Sequence, residues 1–321
     1  MAIRRFSCWV ALALALALAL VASAAVAQPA APRPVVPQQV SPSAWYIEGE
    51  AALGSTANRN FISNAGFIVT PAGVVVIDAL GSPQLARELL AEIRRVAGKP
   101  VTHVIVTHYH ADHIYGLQEF RRQGAKIIAH AAGRGYLHSD TAASRLEVSR
   151  TDLAPWIDAA TQLVAADQWI TGRTELDLGG TRIVLQPVGT AHTPEDLVVL
   201  LPAERVLFAG DIVFRGRIPF VGQADSGQWI KALDTLLALD AAVVVPGHGP
   251  PSTSARQDLE LTRDYLGFLR RAMGQAARDM EPFDHAYART DWSRFEQLPL
   301  FRAANRMNAY NTYLLMERQT P

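Results

Sequence analysis

The sequence predicts an α/β fold. Three observations predict it. Strand-like β-branched segments and amphipathic helical segments alternate along residues 45–321. No linker-like stretch divides that region. Hydrophobic residues make up 49% of the chain against 19% charged, a globular balance that excludes a disordered protein. With 321 residues, the chain can bury a sizeable core.

The first 27 residues read as an address. Arg4 and Arg5 precede an apolar run at 10–21, and Ala25-Val26-Ala27 offers a signal-peptidase site. The apolar run is shorter than the ~20 residues a spanning helix needs, so cleavage is expected rather than a stable membrane anchor. The expectation is a periplasmic or secreted protein. Cleavage would remove Cys8, the single cysteine, so the mature chain has neither a disulfide scaffold nor a thiolate metal cluster. Residues 28–44 carry five prolines and read as a flexible or polyproline-like leader outside the fold.

From residue 45 the pattern changes. Residues 61–70 and 74–80 read as two strands joined at Pro71-Ala72-Gly73. Ser82-Pro83 is a helix N-cap with proline at the first helical position. Leu85, Leu89, Ile93 and Val96 then share one helical face, and Gly98 ends it. Residues 101–107 form a β-branched strand, a helix starts near His113, and 126–129 is strand-like. Residues 131–160 read as helical and peripheral. Further strands are expected at 169–178, 181–188, 197–201, 206–209 and 242–245, and helices at 227–239, 252–277 and 300–317.

The charge balance of 30 basic and 30 acidic residues, with no strong basic run, gives no footprint for nucleic acid. The motifs GxSxG, GxGxxG after a strand, Walker A and HExxH are all missing from the sequence. The chemistry lies instead in Thr107-His108-Tyr109-His110-Ala111-Asp112-His113. Four potential ligands, three imidazoles and one carboxylate, follow a buried strand. His108 and His110, two residues apart in an extended loop, point the same way. Asp112 and His113 follow where a helix begins and turn back to the same space. Three later segments share that setting, a strand running into a turn that carries one ligand type: His192, Asp211 and His248. Alone, His192 or His248 reads equally well as a loop histidine or a ligand, and Asp211 reads as a cap or turn residue. Together with the first cluster they form a metal constellation.

These residues, in this order, resemble the metallo-β-lactamase superfamily over nearly all of residues 45–270. The resemblance implies an αββα sandwich of two mixed β-sheets flanked by helices, within one domain over 45–321. It also implies a ligand split: His108, His110 and His192 on one metal, Asp112, His113 and His248 on a second, and Asp211 bridging. Imidazole and carboxylate without thiolate suit Zn2+, two per chain, with iron or manganese as alternatives. Two such ions can share a hydroxide, since bound water falls from a pKa of about 15.7 to about 7, and that hydroxide attacks a carbonyl. Asp112 would orient it and take its proton.

The cysteine-free ligand set excludes lactamases with a cysteine ligand, and an aspartate bridge resembles the glyoxalase II-type hydrolases. The expected enzyme is therefore an exported dinuclear zinc hydrolase of a small ester, thioester or lactam-type substrate. Alternatives are a class B3-like β-lactamase, a mononuclear iron persulfide dioxygenase and a non-catalytic periplasmic zinc-binding protein. Metal content and oxygen uptake separate them. The sequence does not specify the substrate, its contacts or the oligomeric state. The loop from Phe214 to Phe220, rich in arginine and aromatics, would either contact an acidic or aromatic substrate group or serve as a packed connector. Tyr109 and Tyr115 are further candidates, and His130 is a weaker one. His103 reads as structural, and His138 and His285 as surface residues.

Overall fold

The structure, a computed structural model, describes residues 33–319. Two sheets face each other. The first holds β1 (Gln38–Gln39), β2 (Ala44–Ile47), β3 (Ala65–Thr70), β4 (Gly73–Ile77), β5 (Val101–Ile105), β6 (Lys126–His130) and β7 (Gln168–Ile170), in that spatial order. The second runs β12-β11-β10-β9-β8, from β8 (Thr174–Asp177), β9 (Arg182–Pro187), β10 (Leu197–Leu201), β11 (Val206–Phe214) and β12 (Val243–His248). Each sheet begins as antiparallel hairpins and ends in parallel pairs, so both are mixed.

The strand period decides the layers. In β4, Val74 and Val76 join the core beneath the helices of the first sheet, while Val75 and Ile77 face the other sheet. In β11, Leu207 and Ala209 meet the helices of the second sheet, while Val206 and Phe208 face inward. The result is an αββα sandwich with three apolar layers.

Helix α1 (Pro83–Ala97) forms as its sequence dictates. The Ser82 hydroxyl accepts from the Leu85 amide, Pro83 opens the first turn, and Gly98 closes the helix at φ 60°. Leu85, Leu89 and Ile93 are buried against the first sheet, each worth ~1.5–3 kcal/mol. The short helices α2 (Ala111–Ile114) and α3 (Leu117–Arg122) follow β5, and α4 (Gly133–Leu137) and α5 (Asp140–Asp152) follow β6. Helix α6 (Ser226–Leu237) makes the crossover between the parallel pair β11 and β12. Helices α7 (Ala255–Arg278), α8 (Phe283–Arg289) and α9 (Phe301–Gln319) complete the outer layer. Among the described residues, no helix is long and apolar enough to cross a membrane.

The structure corrects three readings. The segment 28–44 was expected outside the fold, but from residue 33 it is part of it. Val35 is buried in the core, the Arg33 guanidinium donates to the Gly49 carbonyl, and β1 pairs with β2 as an edge strand. Prolines tolerate an edge position because their missing N–H faces no partner. Residues 28–32 and the signal segment 1–27 lie outside the described residues. The strand expected at 169–178 is two strands in different sheets, β7 and β8, with the crossing at 171–173. The segment carries a break at Gly172-Arg173, but nothing local to it marks which sheet each half serves. The strand expected at 206–209 continues to Phe214.

Candidate metal centre

Seven side chains converge at one end of the sandwich. His108 and His110 lie in the loop after β5, Asp112 and His113 in α2, His192 in the loop after β9, Asp211 inside β11, and His248 at the end of β12. They form two groups, His108, His110, His192 and Asp211, and Asp112, His113 and His248. Within each group the candidate ligand atoms all lie within 4.8 Å of one another.

Asp211 sits between the groups. Its Oδ2 is 3.4 Å from His192 Nε2, 3.3 Å from His248 Nε2 and 3.8 Å from His108 Nε2, and its Oδ1 is 3.3 Å from His113 Nε2. Asp112 Oδ2 reaches His248 Nε2 at 3.4 Å and His113 Nε2 at 3.5 Å. His192 Nε2 faces His110 Nδ1 at 3.0 Å.

Local backbone explains these placements. Gly210 has φ 50°, and the β11–β12 register shifts on both sides of it. Such a bulge re-aims side chains from within a strand, which is how Asp211 serves the site without ending β11. Gly247 opposes it. A Cβ there would stand 2.0 Å from Asp211 Oδ1.

The tautomers follow from fixed partners. His113 Nδ1 donates to Asp78 Oδ2 at 2.9 Å. The Thr107 hydroxyl donates to the same carboxylate at 2.8 Å and accepts from His108 Nδ1 at 3.1 Å. His248 Nδ1 donates to the Ile62 carbonyl at 2.6 Å. In all three rings Nδ1 is therefore the committed donor, and Nε2 is the nitrogen turned toward the site. Ring packing holds the rest. Phe214 stacks on His248 with centroids 5.0 Å apart, and Trp229 packs edge-on against His192 at 5.2 Å.

Sequence reasoning missed three positioning residues. Asp78 follows β4 at φ 60°, and its Oδ1 accepts the Thr107 amide while Oδ2 serves Thr107 and His113. Asn64 donates to the Pro246 and Gly249 carbonyls and accepts from the Gly49 amide, pinning the His248 turn. Asp196 accepts the amide and hydroxyl of Thr193 beside His192. The only sequence signal was the position of each next to a strand or turn, too common to single them out.

Burial and mutual charge set the electrostatics. Burial, aided by His192, pushes the His110 pKa down to about 3. Burial takes His192 to about 4 and holds His108 well below its ordinary value. His113 goes the other way: burial alone would lower it, but Asp112, Asp211 and Asp78 raise it well above. Burial also opposes ionisation of Asp211, yet His248, His113 and His108 hold its carboxyl well below the carboxylate range. The imidazoles of His108, His110 and His192 are thus neutral and the acid ionised, the protonation states a cation requires.

The donor set fits metal ions on a second observation. His108 Nε2, His113 Nε2 and Asp211 Oδ1, all turned toward the cluster, are buried with no hydrogen-bond partner. Orphaned buried polar atoms are costly, and three in one cluster of ligand types point to cations as their partners.

Other candidates are placed elsewhere. Tyr109 is buried and stacks on Trp169, and Tyr115 is buried with its hydroxyl on Ser149. Both are core residues. His103 meets Thr102 on its strand, and His138 and His285 are exposed, as the sequence suggested. His130 is half-buried at the end of β6 and is not in the wall of the cavity onto which His110 and His192 open. The 214–220 loop divides its roles. Phe214 supports His248, Arg217 is buried behind it with Nη1 3.2 Å from His248 Nδ1, and Phe220 lines a cavity of about 810 Å³. His110 and His192 open onto that cavity, and Tyr136, Arg145, Met307 and Asn311 form other parts of its wall.

Comparison with known proteins agrees with this geometry. The family model described as the metallo-beta-lactamase superfamily matches residues 58–248. The chain is 24% identical over 238 residues to a linear primary-alkylsulfatase from Pseudomonas sp., covering 63% of this chain and 45% of that protein. It is 26% identical over 201 residues to metallo-beta-lactamase IND-1 from Chryseobacterium indologenes, covering 61% of this chain and 75% of the relative. The chain thus spans under half of the alkylsulfatase. A solved metallo-beta-lactamase from Pontibacter korlensis superposes with a TM-score of 0.57 at 23% identity, over 73% of this chain and 99% of the other, which shows a shared fold.

Proposed function

Because the chain belongs to the metallo-beta-lactamase superfamily of metal-dependent hydrolases, we propose that it is a dinuclear zinc hydrolase acting on an ester, thioester or lactam-type carbonyl. The observation that carries this reading is Asp211, whose single carboxylate lies within 3.8 Å of imidazole nitrogens from both ligand groups. A storage site for one ion has no need of that arrangement.

In this reading His108, His110 and His192 would hold one ion, Asp112, His113 and His248 would hold the other, and Asp211 would serve both. The ions, once bound, supply Lewis acidity and a water whose pKa falls from about 15.7 to about 7. Only Asp112 and Asp211 among the seven are anionic, so the loaded set stays net positive and favours an oxyanion. Burial raises the Asp112 pKa, but His113 and His248 outweigh it and keep the carboxyl ionised. Asp112 can then take a proton from attacking water. Asp78 holds His113, and through Thr107 it holds His108, in the tautomers that face the site. The cavity of about 810 Å³ beside His110 and His192 receives the substrate, a small molecule, with Phe220 and Met307 offering apolar contact and Arg145 a charge.

The test is metal content paired with turnover. About two zinc per chain, with hydrolysis of at least one member of an ester, thioester and β-lactam panel, would support the reading. One iron with oxygen uptake would replace it with a persulfide dioxygenase. Two zinc without turnover of any member would leave a zinc-binding protein. Preference for β-lactams would make it a class B3-like lactamase. The likeness to an alkylsulfatase favours one second reading, sulfate-ester hydrolysis, so linear alkyl sulfates belong in the panel.

Export to the periplasm or the medium is part of the same proposal. It is supported by the basic, apolar and small-residue order of residues 1–27. Mass spectrometry of protein from a bacterial host should find a start at Gln28, and an intact Met1 would remove the inference.

A further inference from the structure

A second cavity, of about 440 Å³, lies behind His248, walled in part by the 214–219 segment, α7 and the 294–298 turn. That size is in the range of small-molecule sites. Its lining is mostly apolar, with Ile218, Tyr265, Phe295 and Leu298 contributing. Three guanidinium groups also line it, and two of them are neutralised. Arg215 pairs with Asp258 at 3.0 Å and Arg294 with Asp264 at 2.7 Å.

The third, Arg217, is only 7% exposed and has no carboxylate partner among the described residues. Its Nε makes a 3.4 Å bond to the neighbouring Ile218 carbonyl. Its Nη1 lies 3.2 Å from His248 Nδ1, but that nitrogen already donates its proton to Ile62 and offers no lone pair. Asp211 and Asp112 are near enough to attract the guanidinium, but neither hydrogen-bonds it, and both carboxylates face the histidines of the candidate metal centre. The Phe214 ring, 5.6 Å from the guanidinium, adds a cation–π contact but no counter-charge. A buried guanidinium with no carboxylate in hydrogen-bond reach is costly, and an anion delivered through an apolar cavity would offset that cost.

We propose that this cavity is a binding site for an amphiphilic organic anion, with a carboxylate or sulfate head on Arg217 and an apolar tail among Ile218, Tyr265, Phe295 and Leu298. The guanidinium presents a planar fork suited to such a head group. The site is separate from the substrate cavity, which lies beside His110 and His192. It does not depend on which bond the enzyme cleaves.

Calorimetric titration of the full chain with decanoate tests the proposal, with decanol as the neutral control. Decanoate should bind with one site per chain. Arg217→Gln should weaken it at least tenfold, the loss of a buried charge-assisted bond, and leave decanol binding unchanged. Leu298→Trp, which fills the cavity from its wall, should abolish decanoate binding, and it carries the test if Arg217→Gln does not fold. Absence of decanoate binding, decanoate binding unaltered by either variant, or decanol binding as tightly as decanoate would overturn the assignment.

Discussion

At the scale of single residues, one carboxylate organises much of the candidate metal centre. Asp78 accepts three hydrogen bonds, two from Thr107 and one from His113, and touches no substrate cavity. Asparagine in its place keeps the size but turns one acceptor into a donor, leaving His113 Nδ1 free to rotate away. We expect Asp78→Asn to lower zinc affinity about 10–100-fold, read by competition with a chromophoric chelator. Unchanged affinity would mean that packing alone holds the imidazoles. His110 is different, because it is only half-buried and faces the cavity. His110→Ala should abolish hydrolysis while the melting temperature of the chelated protein stays within a few degrees. Retained turnover would remove the motif from the mechanism. The contrast also shows what the sequence made legible. His108, His110, Asp112 and His113 fall within six residues, so their shared role could be read directly. Asp78 stands 35 residues before its partner His113, and only folding makes the two adjacent.

At the scale of elements, close approach decides what the sheets tolerate. Gly66 on β3 faces the inner layer, where a Cβ would stand 2.2 Å from the Phe208 ring. Both belong to strands whose alternation could be read, yet the need for glycine comes from the opposite sheet. Gly66→Ala should destabilise the fold by about 1–3 kcal/mol in urea unfolding, since the inner layer has no slack. A smaller loss would indicate that Phe208 can swing aside. At Gly247 the clash is with Asp211 itself. Gly247→Ala should lower metal stoichiometry more than it lowers stability, which metal analysis beside a melting curve will separate. The bulge at Gly210 belongs to the same level of description. Residues 206–209 had the composition of a strand, but nothing local told that pairing would resume past Gly210.

At the scale of the whole molecule, the two sheets are joined by more than apolar contact. Ser43, before β2, donates its amide and hydroxyl to Glu204, which precedes β11 at the end away from Asp211. Burial raises the Glu204 pKa, but the hydrogen bonds outweigh it and leave the group lowered. A carboxyl with a folded pKa below its unfolded one adds stability above about pH 4.3 and loses it as pH falls through the folded value. Solvent screening holds the gain to about 1 kcal/mol or less. The stability gap between wild type and Glu204→Gln should therefore be present at pH 7 and close in acid. A gap that persists at pH 3 would assign it to packing. Metal removal should act on the molecule as a whole. Ions bound only by the native state at a hundredfold excess over Kd add about 2.7 kcal/mol. Chelation should thus lower Tm by about 5–10 °C. No shift would argue that the cluster is empty as isolated.

What the sequence determined by itself was local and ordered along the chain: the strand and helix periods, the caps of α1, the histidine-rich loop after β5, and the order of His192, Asp211 and His248. These depend on neighbouring residues, whose geometry follows from backbone period and side-chain chemistry. Tertiary structure alone decided which sheet took residues 168–170 and which took 174–177, that residues 33–44 belong to the fold, that Asp78 and Asn64 hold the site, and that Arg217 lies buried with no carboxylate hydrogen-bonded to it. Each of those depends on groups far apart in the chain, and their proximity is set by how the apolar faces of two sheets close on each other.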